Sequence, residues 1–466
     1  MKKLLNWIIP AVFGIGLWFI PTPEGLTPQS WYLFAIFVAT IVGFITQPLP
    51  IGGVSIVVIT VAALTGTLKI GEAISGFANS AIWLIVGAFL FSRGFIKTGL
   101  GKRIAYNLIA AFGSSSLRLA YALALSDLIL APATPSNTAR VGGVIMPITT
   151  SLAKAFGSEP QNGPRKIGSF LMQSIYQVNT ITSAMFQTSM AGNTLVAALA
   201  LQSFGIGITW GDWAMAAIVP GIIALIIMPY FIYKAYPPEI KDAREAQQMI
   251  REELKGLGKM SFQEWVMLGV FILALVLWAT SQFTHLDATT VAFLGISILL
   301  ATGVLIWDDV KSEKGAWDTL VWMGTLMGFA GFLSKLGFIK WATVLVGGYI
   351  PEGSWIIAFV IAVLINTYSH YVFASLTAHI SAMFVAFSAI AISAGAPPML
   401  TLLMIAFTSN LCMSLTHYAA GPSPVIFNTG YVPQNTWWKL GFFASVINLI
   451  IFMGLGSVWM KAIGMW

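Results

Sequence analysis

Two matching segments carry the polar groups that could hold an ion: Thr134-Pro135-Ser136-Asn137-Thr138-Ala139-Arg140 and Phe373-Ala374-Ser375-Leu376-Thr377-Ala378-His379. Each places hydroxyls just ahead of a potentially cationic side chain. In the first, Ala131-Pro132-Ala133-Thr134-Pro135 stops one helix, because proline holds the chain out of helix, and Ser136 or Asn137 then caps the next N-terminus. A helix N-terminus offers free N–H groups and the positive end of the dipole, here with hydroxyl and amide donors beside it. That chemistry suits carboxylate oxygens. Two such clusters facing each other fit a substrate with two anionic groups better than one with a single charge.

Arg140 and His379 occupy equivalent places, two residues past Thr138 and Thr377. Ionisable groups inside membrane segments are costly and usually functional. The plain alternatives are snorkelling for Arg140 and a hydrogen-bonded core position for His379. Asp127 is placed to pair with Arg140, and its counterpart in the second half is Asn366. His370 and His417 are weaker candidates, and His285 reads as an interfacial residue.

The elements that must position these groups follow from the scarcity of charge. Lys and Arg number 24 and Asp and Glu 17 in 466 residues, 9% of the chain, against about a quarter in soluble proteins. With 57% hydrophobic residues, this excludes a soluble or disordered chain and says polytopic membrane protein. Gly353 to Trp438 runs 86 residues without a charge, room for several membrane helices of about 20 residues each. The runs lack the strict alternation of barrel strands, so the class is all-α. A single cysteine, Cys412, excludes an internal disulfide framework and any thiolate metal cluster. The net charge of +7 reflects membrane orientation rather than nucleic-acid binding. The segment Lys3 to Ile20 resembles a signal peptide, but without a convincing cleavage site it reads as the first span.

Candidate spans are 4–20, 31–46, 51–68, 81–98, 167–201, 213–233, 265–283, 288–307, 317–346, 399–426 and 440–460. Two stretches, 119–152 and 355–393, are too long for one pass and polar at the middle. Lys and Arg collect in cytoplasmic loops, which places the N-terminus inside and the C-terminus outside a plasma membrane. Arg118 before the first stretch and Lys154, Arg165 and Lys166 after it must lie on one side, so it is a re-entrant helical hairpin. The segment Lys241 to Lys259 reads as a solvated cytoplasmic linker. Each half then holds three spans, a hairpin, a broken span (Gln187 to Asn193; Thr416 to Pro424) and a closing span. An odd number of passes separates the halves, which makes an inverted repeat of about 11 helices and two hairpins. Inverted repeats with interrupted helices near the midplane mark secondary transporters.

The hairpin motifs, Ser136-Asn137-Thr138 and Ser375-Leu376-Thr377, with the broken spans behind them, resemble the divalent anion/sodium symporter family along essentially the whole chain. The pair ending in Arg140 and His379 is similar to its di- and tricarboxylate exchanger branch, the 2-oxoglutarate/malate translocators and citrate/succinate antiporters. The resemblance implies a homodimer with a scaffold and an elevator-type transport domain. The expected units are 1–103 and 265–350 (scaffold), 104–233 and 351–466 (transport halves), and 234–264 (linker). It also implies a substrate site of Ser136, Asn137, Thr138, Ser375, Leu376 and Thr377 with Gly192, Asn193, Gly421 and Pro422 of the breaks. No metal and no cofactor are expected.

In the sodium-coupled branch both tips read Ser-Asn-Thr. Leu376 removes the second amide, so Arg140 and His379 are expected as fixed charges in place of mobile cations. The functional expectation is sodium-independent exchange of dicarboxylates (2-oxoglutarate, malate, succinate, fumarate class). The alternative is a sodium-coupled dicarboxylate symporter. A membrane enzyme lacks support, since no His-Glu-x-x-His, Gly-x-Ser-x-Gly or carboxylate cluster at ligand spacing lies within the membrane. A channel is disfavoured by the inverted hairpins.

Overall fold

The computed structural model describes residues 2–347 and 355–466, all of whose regular structure is helical. Helices α1 (Lys2–Phe19), α2 (Pro28–Thr46), α3 (Ile51–Leu64) and α4 (Ser80–Thr98) open the chain. A half-length helix α5 (Leu100–Phe112) leads to the first hairpin. Its arms are α6 (Ser116–Leu130) and α7 (Asn137–Arg140), which runs through a wider π-type turn at Val141–Ile145 into α8 (Met146–Ala155). The broken pair α9 (Gly168–Met185) and α10 (Ala191–Phe204) and the long α11 (Trp210–Ala235) complete this half.

After α12 (Arg244–Gly256) the order of elements from α2 onward recurs. It comprises α13 (Phe262–Ala279), α14 (Ala288–Ala301), α15 (Lys314–Lys335) and a half-length α16 (Phe338–Gly347). The second hairpin is α17 (Trp355–Ser369) with α18 (Leu376–Ser393), and the second broken pair is α19 (Pro398–Leu411) with α20 (Pro422–Phe427). The chain closes with α21 (Gln434–Leu449) and α22 (Ser457–Ala462), joined by a π-type segment at Ile450–Gly456. Among the described residues, nine helices are long and apolar enough to cross a membrane, and three apolar helices are shorter. The chain is a multi-pass membrane protein.

The expected spans and both hairpins are present, and three differences have physical causes. The span expected at 317–346 is two helices, because α15 ends at Leu336 and Gly337 turns left-handed at φ +82°. Helix α5 carries Lys102, Arg103 and Asn107 and does not read as a span; it buries an apolar stripe together with Arg103. The linker at 241–259 contains a helix, α12, that buries Ala246, Gln247 and Ile250 against α5. Gln247 and Arg251 both donate to the Ala110 carbonyl at the end of α5. The boundary expected at 350/351 lies outside the described residues.

The centre of the molecule is α9, in which every residue from Gly168 to Met185 is buried, together with α19, buried from Leu400 to Leu411. These helices carry Gln173, Gln177, Asn179, Thr182, Thr408 and Asn410, polar groups that only a protein-lined interior tolerates within a bilayer. At one edge, Arg103 of α5 grips Glu264 of α13 at 2.6 Å and takes the carbonyls of Leu257 and Gly258, which fastens the linker between the halves.

Candidate functional site

Each hairpin turns where helix cannot continue. In the first, the chain leaves α6 through a short turn at Ala131–Ala133, passes extended Thr134 and Pro135, and restarts at Ser136, whose hydroxyl accepts the Ala139 N–H at 3.1 Å. In the second, Ser375 caps α18 by accepting the Ala378 N–H at 3.3 Å. The N–H groups of Asn137, Thr138, Leu376 and Thr377 belong to the first helical turns, which have no intrahelical carbonyl to meet. Both caps were legible in the sequence.

The fold brings the two tips to one cavity of about 300 Å³, the lower end of ordinary ligand sites. Its wall includes Ser136, Asn137 and Thr138 from one tip, Ser375, Leu376 and Thr377 from the other, and Gly421 from the second break. Among the described residues, no charged side chain lines it. An anion there meets hydroxyls, an amide and two helix N-termini, with the ionisable groups one layer behind. Three expected site residues sit in that layer rather than on the wall. Gly192 is packed against Ile380 and Met190. Pro422 is buried at the start of α20. Asn193 spends its amide on the Ser183 and Phe186 carbonyls at 2.7 and 2.9 Å and accepts from Asn410 at 2.7 Å.

Sequence reasoning missed Gln47, Phe89, Met190, Ala191 and Ala420 on the wall. Met190, Ala191 and Ala420 lie within the breaks read from sequence, and Gln47 carried a signal of its own, a polar residue ahead of Pro48 and Pro50 in a run without charges. It ends α2 in a left-handed conformation at φ +46°. His285 does so at φ +54° at the corresponding place after α13, and lines a separate polar cavity of about 550 Å³ with Gln187, Thr194, Trp210 and Asp287.

Arg140 is fully buried. Its Nε donates to Asp127 Oδ1 at 2.9 Å, its Nη1 to the carbonyls of Thr134 and Ser189 at 2.9 and 3.0 Å, and its Nη2 to the hydroxyls of Thr182 and Ser183. Asp127 is held in turn by Asn179 and Thr182. The pairing expected from sequence is present, and it balances the guanidinium: the two formal charges sum to zero, so Arg140 does not stand as a bare cation. Carbonyls of the tip and of the first break converge on one guanidinium, and this arrangement gives buried backbone acceptors a cationic partner. In the second half the same place is taken by His379, whose Nε2 lies 2.8 Å from the Asn366 carbonyl and 3.2 Å from Ser369 Oγ. His370 reaches the Ala419 carbonyl at 2.9 Å. His417 accepts from Trp438 at 3.0 Å, away from the cavity wall.

The halves are stitched together behind the tips. Asn137 Nδ2 rests 3.7 Å from Met413 Sδ, and Tyr176 hydrogen-bonds the carbonyls of Met413 and Thr416 and the Ser423 hydroxyl, while within the first half Thr188 of the break donates to the Pro132 carbonyl of the tip at 2.6 Å. Gly421 lies against Thr138, where a β-carbon would overlap the hydroxyl.

The sodium:sulfate symporter transmembrane family model matches residues 1–466. The chain belongs to the divalent anion/sodium symporter family. It is 52% identical to YflS of Bacillus subtilis, named as a candidate malate transporter, over 100% of this chain and 97% of that protein. It is 47% identical to the chloroplast dicarboxylate transporter 1 of spinach, over 100% and 82%. It is 39% identical to the inner membrane protein YbhI of Escherichia coli, over 100% and 98%. With the family match, the first two relatives, named for malate and for dicarboxylates, place it with the dicarboxylate transporters of the family and make it a transporter rather than an enzyme. The crystal structure of the Alcanivorax borkumensis YdaH transporter superposes with a TM-score of 0.51 at 12% identity, over 100% of this chain and 97% of that one, a likeness of fold.

Proposed function

We propose that this family member exchanges dicarboxylates of the malate, succinate, fumarate and 2-oxoglutarate class across a cell membrane without sodium. The dicarboxylate reading draws on the relatives named for malate and dicarboxylates and on two donor clusters facing one cavity. One carboxylate meets the Ser136-Asn137-Thr138 N-terminus and the other the Ser375-Leu376-Thr377 N-terminus, with Gly421 admitting the close approach.

The observation that carries sodium independence is the carbonyl cage around Arg140. Acceptors that could ligate a small cation already receive guanidinium protons, and Leu376 leaves the second tip without an amide. In the second half His379 and His370 meet the carbonyls of Asn366 and Ala419. The exchange argument follows from charge. Since Arg140 and Asp127 cancel, a dianion crosses without a companion cation, and against 100 mV this costs about 4.6 kcal/mol at roughly 2.3 per charge. Swapping one dianion for another costs nothing in that field.

The movement we propose is an elevator. Residues 104–233 and 351–466 travel as a unit, tied across the halves by the Tyr176 and Asn410 hydrogen bonds, past a scaffold of 1–103 and 265–350 that is paired in a homodimer. Gln47 and His285 support the inverted relation of the halves: equivalent left-handed residues stand at the substrate cavity and at the separate polar cavity. The N-terminus is cytoplasmic and the C-terminus outside.

The test is transport in proteoliposomes. At an imposed inside-negative potential, vesicles loaded with succinate or 2-oxoglutarate take up labelled dicarboxylate in sodium-free medium, and empty vesicles take up little. Uptake by empty vesicles that requires inward sodium would establish symport and overturn the reading.

A further inference from the structure

The second hairpin and second break enclose a cluster that dicarboxylate binding does not use. His370 begins the hairpin turn, His379 lies on α18 and Cys412 follows α19. All three are fully buried, and one ligand atom from each lies within 4.8 Å of the others. The ring orientations are fixed from outside. His370 Nε2 faces the Ala419 carbonyl and His379 Nε2 the Asn366 carbonyl, so each Nε2 carries the proton and donates. The two Nδ1 atoms are left with lone pairs and no hydrogen-bond partner. The imidazoles stand edge to face at 4.8 Å between centroids, with the Phe373 ring 5.1 Å from His379 as an apolar shield.

We propose that His370 Nδ1, His379 Nδ1 and Cys412 Sγ form a binding site for a zinc ion behind the second tip. Imidazole nitrogen and thiolate sulfur are the ligands zinc prefers, and a metal-bound histidine characteristically donates its other N–H to a carbonyl, as both do here. Bond lengths of about 2.0 Å to nitrogen and 2.3 Å to sulfur hold ligand atoms roughly 3.5 Å from one another, so the cluster must draw together as the ion enters. Binding releases the Cys412 thiol proton to water as Zn²⁺ enters, so the cluster gains one positive charge. The ion joins the hairpin turn, the α18 arm and the break, and so holds the second tip against the element behind it. The site stands on these residues alone, independently of which anion is carried or how.

The test uses the full-length, tag-free protein in detergent and reads metal content and spectrum rather than transport. Titration with Co²⁺ should saturate at about one ion per chain, with a thiolate-to-cobalt charge-transfer band that Zn²⁺ abolishes by displacement. Cys412→Ala should lose the band, and both it and His370→Gln should bind Zn²⁺ at least about 100-fold more weakly, since loss of a ligand exceeds the 10–100-fold effect of losing an outer-shell partner. If a variant does not fold, the wild-type band decides alone. Absence of a thiolate band in the wild-type protein, or equal zinc affinity in wild type and Cys412→Ala, overturns the site.

Discussion

Replacing Arg140 by Ala abolishes sodium-free dicarboxylate exchange and lowers stability by about 3–5 kcal/mol, the cost of leaving one member of a buried ion pair without its partner. The carboxylate of Asp127 would remain in a protein interior with only Asn179 and Thr182 to meet it, and the carbonyls of Thr134 and Ser189 would lose their donor. The double variant Asp127→Asn/Arg140→Gln separates the two consequences. With both charges gone, thermal unfolding in detergent should recover much of the lost stability, because a neutral pair escapes the desolvation penalty of a lone buried charge. Exchange should stay lost, because no cation then serves the carbonyls of the tip and break. Unchanged sodium-free exchange in Arg140→Ala would reduce Arg140 to a structural residue.

Gly421→Ala tests the cavity wall by volume alone. Gly421 has helical backbone angles, φ −53° and ψ −41°, so alanine meets no backbone strain, but its methyl would overlap the Thr138 hydroxyl across the join between the first tip and the second break. Overpacking of this kind costs about 1–3 kcal/mol, which as lost affinity is roughly 5- to 150-fold. The folded protein should persist while calorimetric affinity for succinate falls by that factor. Thr138→Ala removes the obstructing atom, so the double variant Thr138→Ala/Gly421→Ala should bind no worse than Thr138→Ala. Additive losses would show that the contact does not govern the site.

Much of this arrangement was legible in sequence because membranes enforce simple rules. Runs without charge had to be helices, and cations at loop ends required the stretch from Leu119 to Leu152 to turn back. The tips were legible because Pro135 and Ser136, like Ser375, leave the backbone few choices. Packing was not. Nothing in residue type places Gln47 or Phe89 against the tips, since their approach depends on how helices from distant parts of the chain come together. The pairing of Arg140 with Asp127 could be read from their positions on opposite hairpin arms, yet the capture of the Ser189 carbonyl required the break in three dimensions. The single cysteine argued against a thiolate metal cluster, and only the fold brings Cys412 beside His370 and His379. The half-length helix α5 and the linker helix α12 escaped because they are amphipathic rather than uniformly apolar, and α16 because its apolar residues continue those of α15 across the turn at Gly337.

The central claim is that two helix N-termini, with Arg140 fixed behind the first, hold a dicarboxylate without a mobile cation. Calorimetric titration of the purified protein with succinate in sodium-free choline buffer tests it most directly. The account predicts saturable binding at one succinate per chain, unchanged when sodium is added, with no measurable binding of propionate, which has one carboxylate. Binding that appears only when sodium is present, or propionate binding as tightly as succinate, would contradict it.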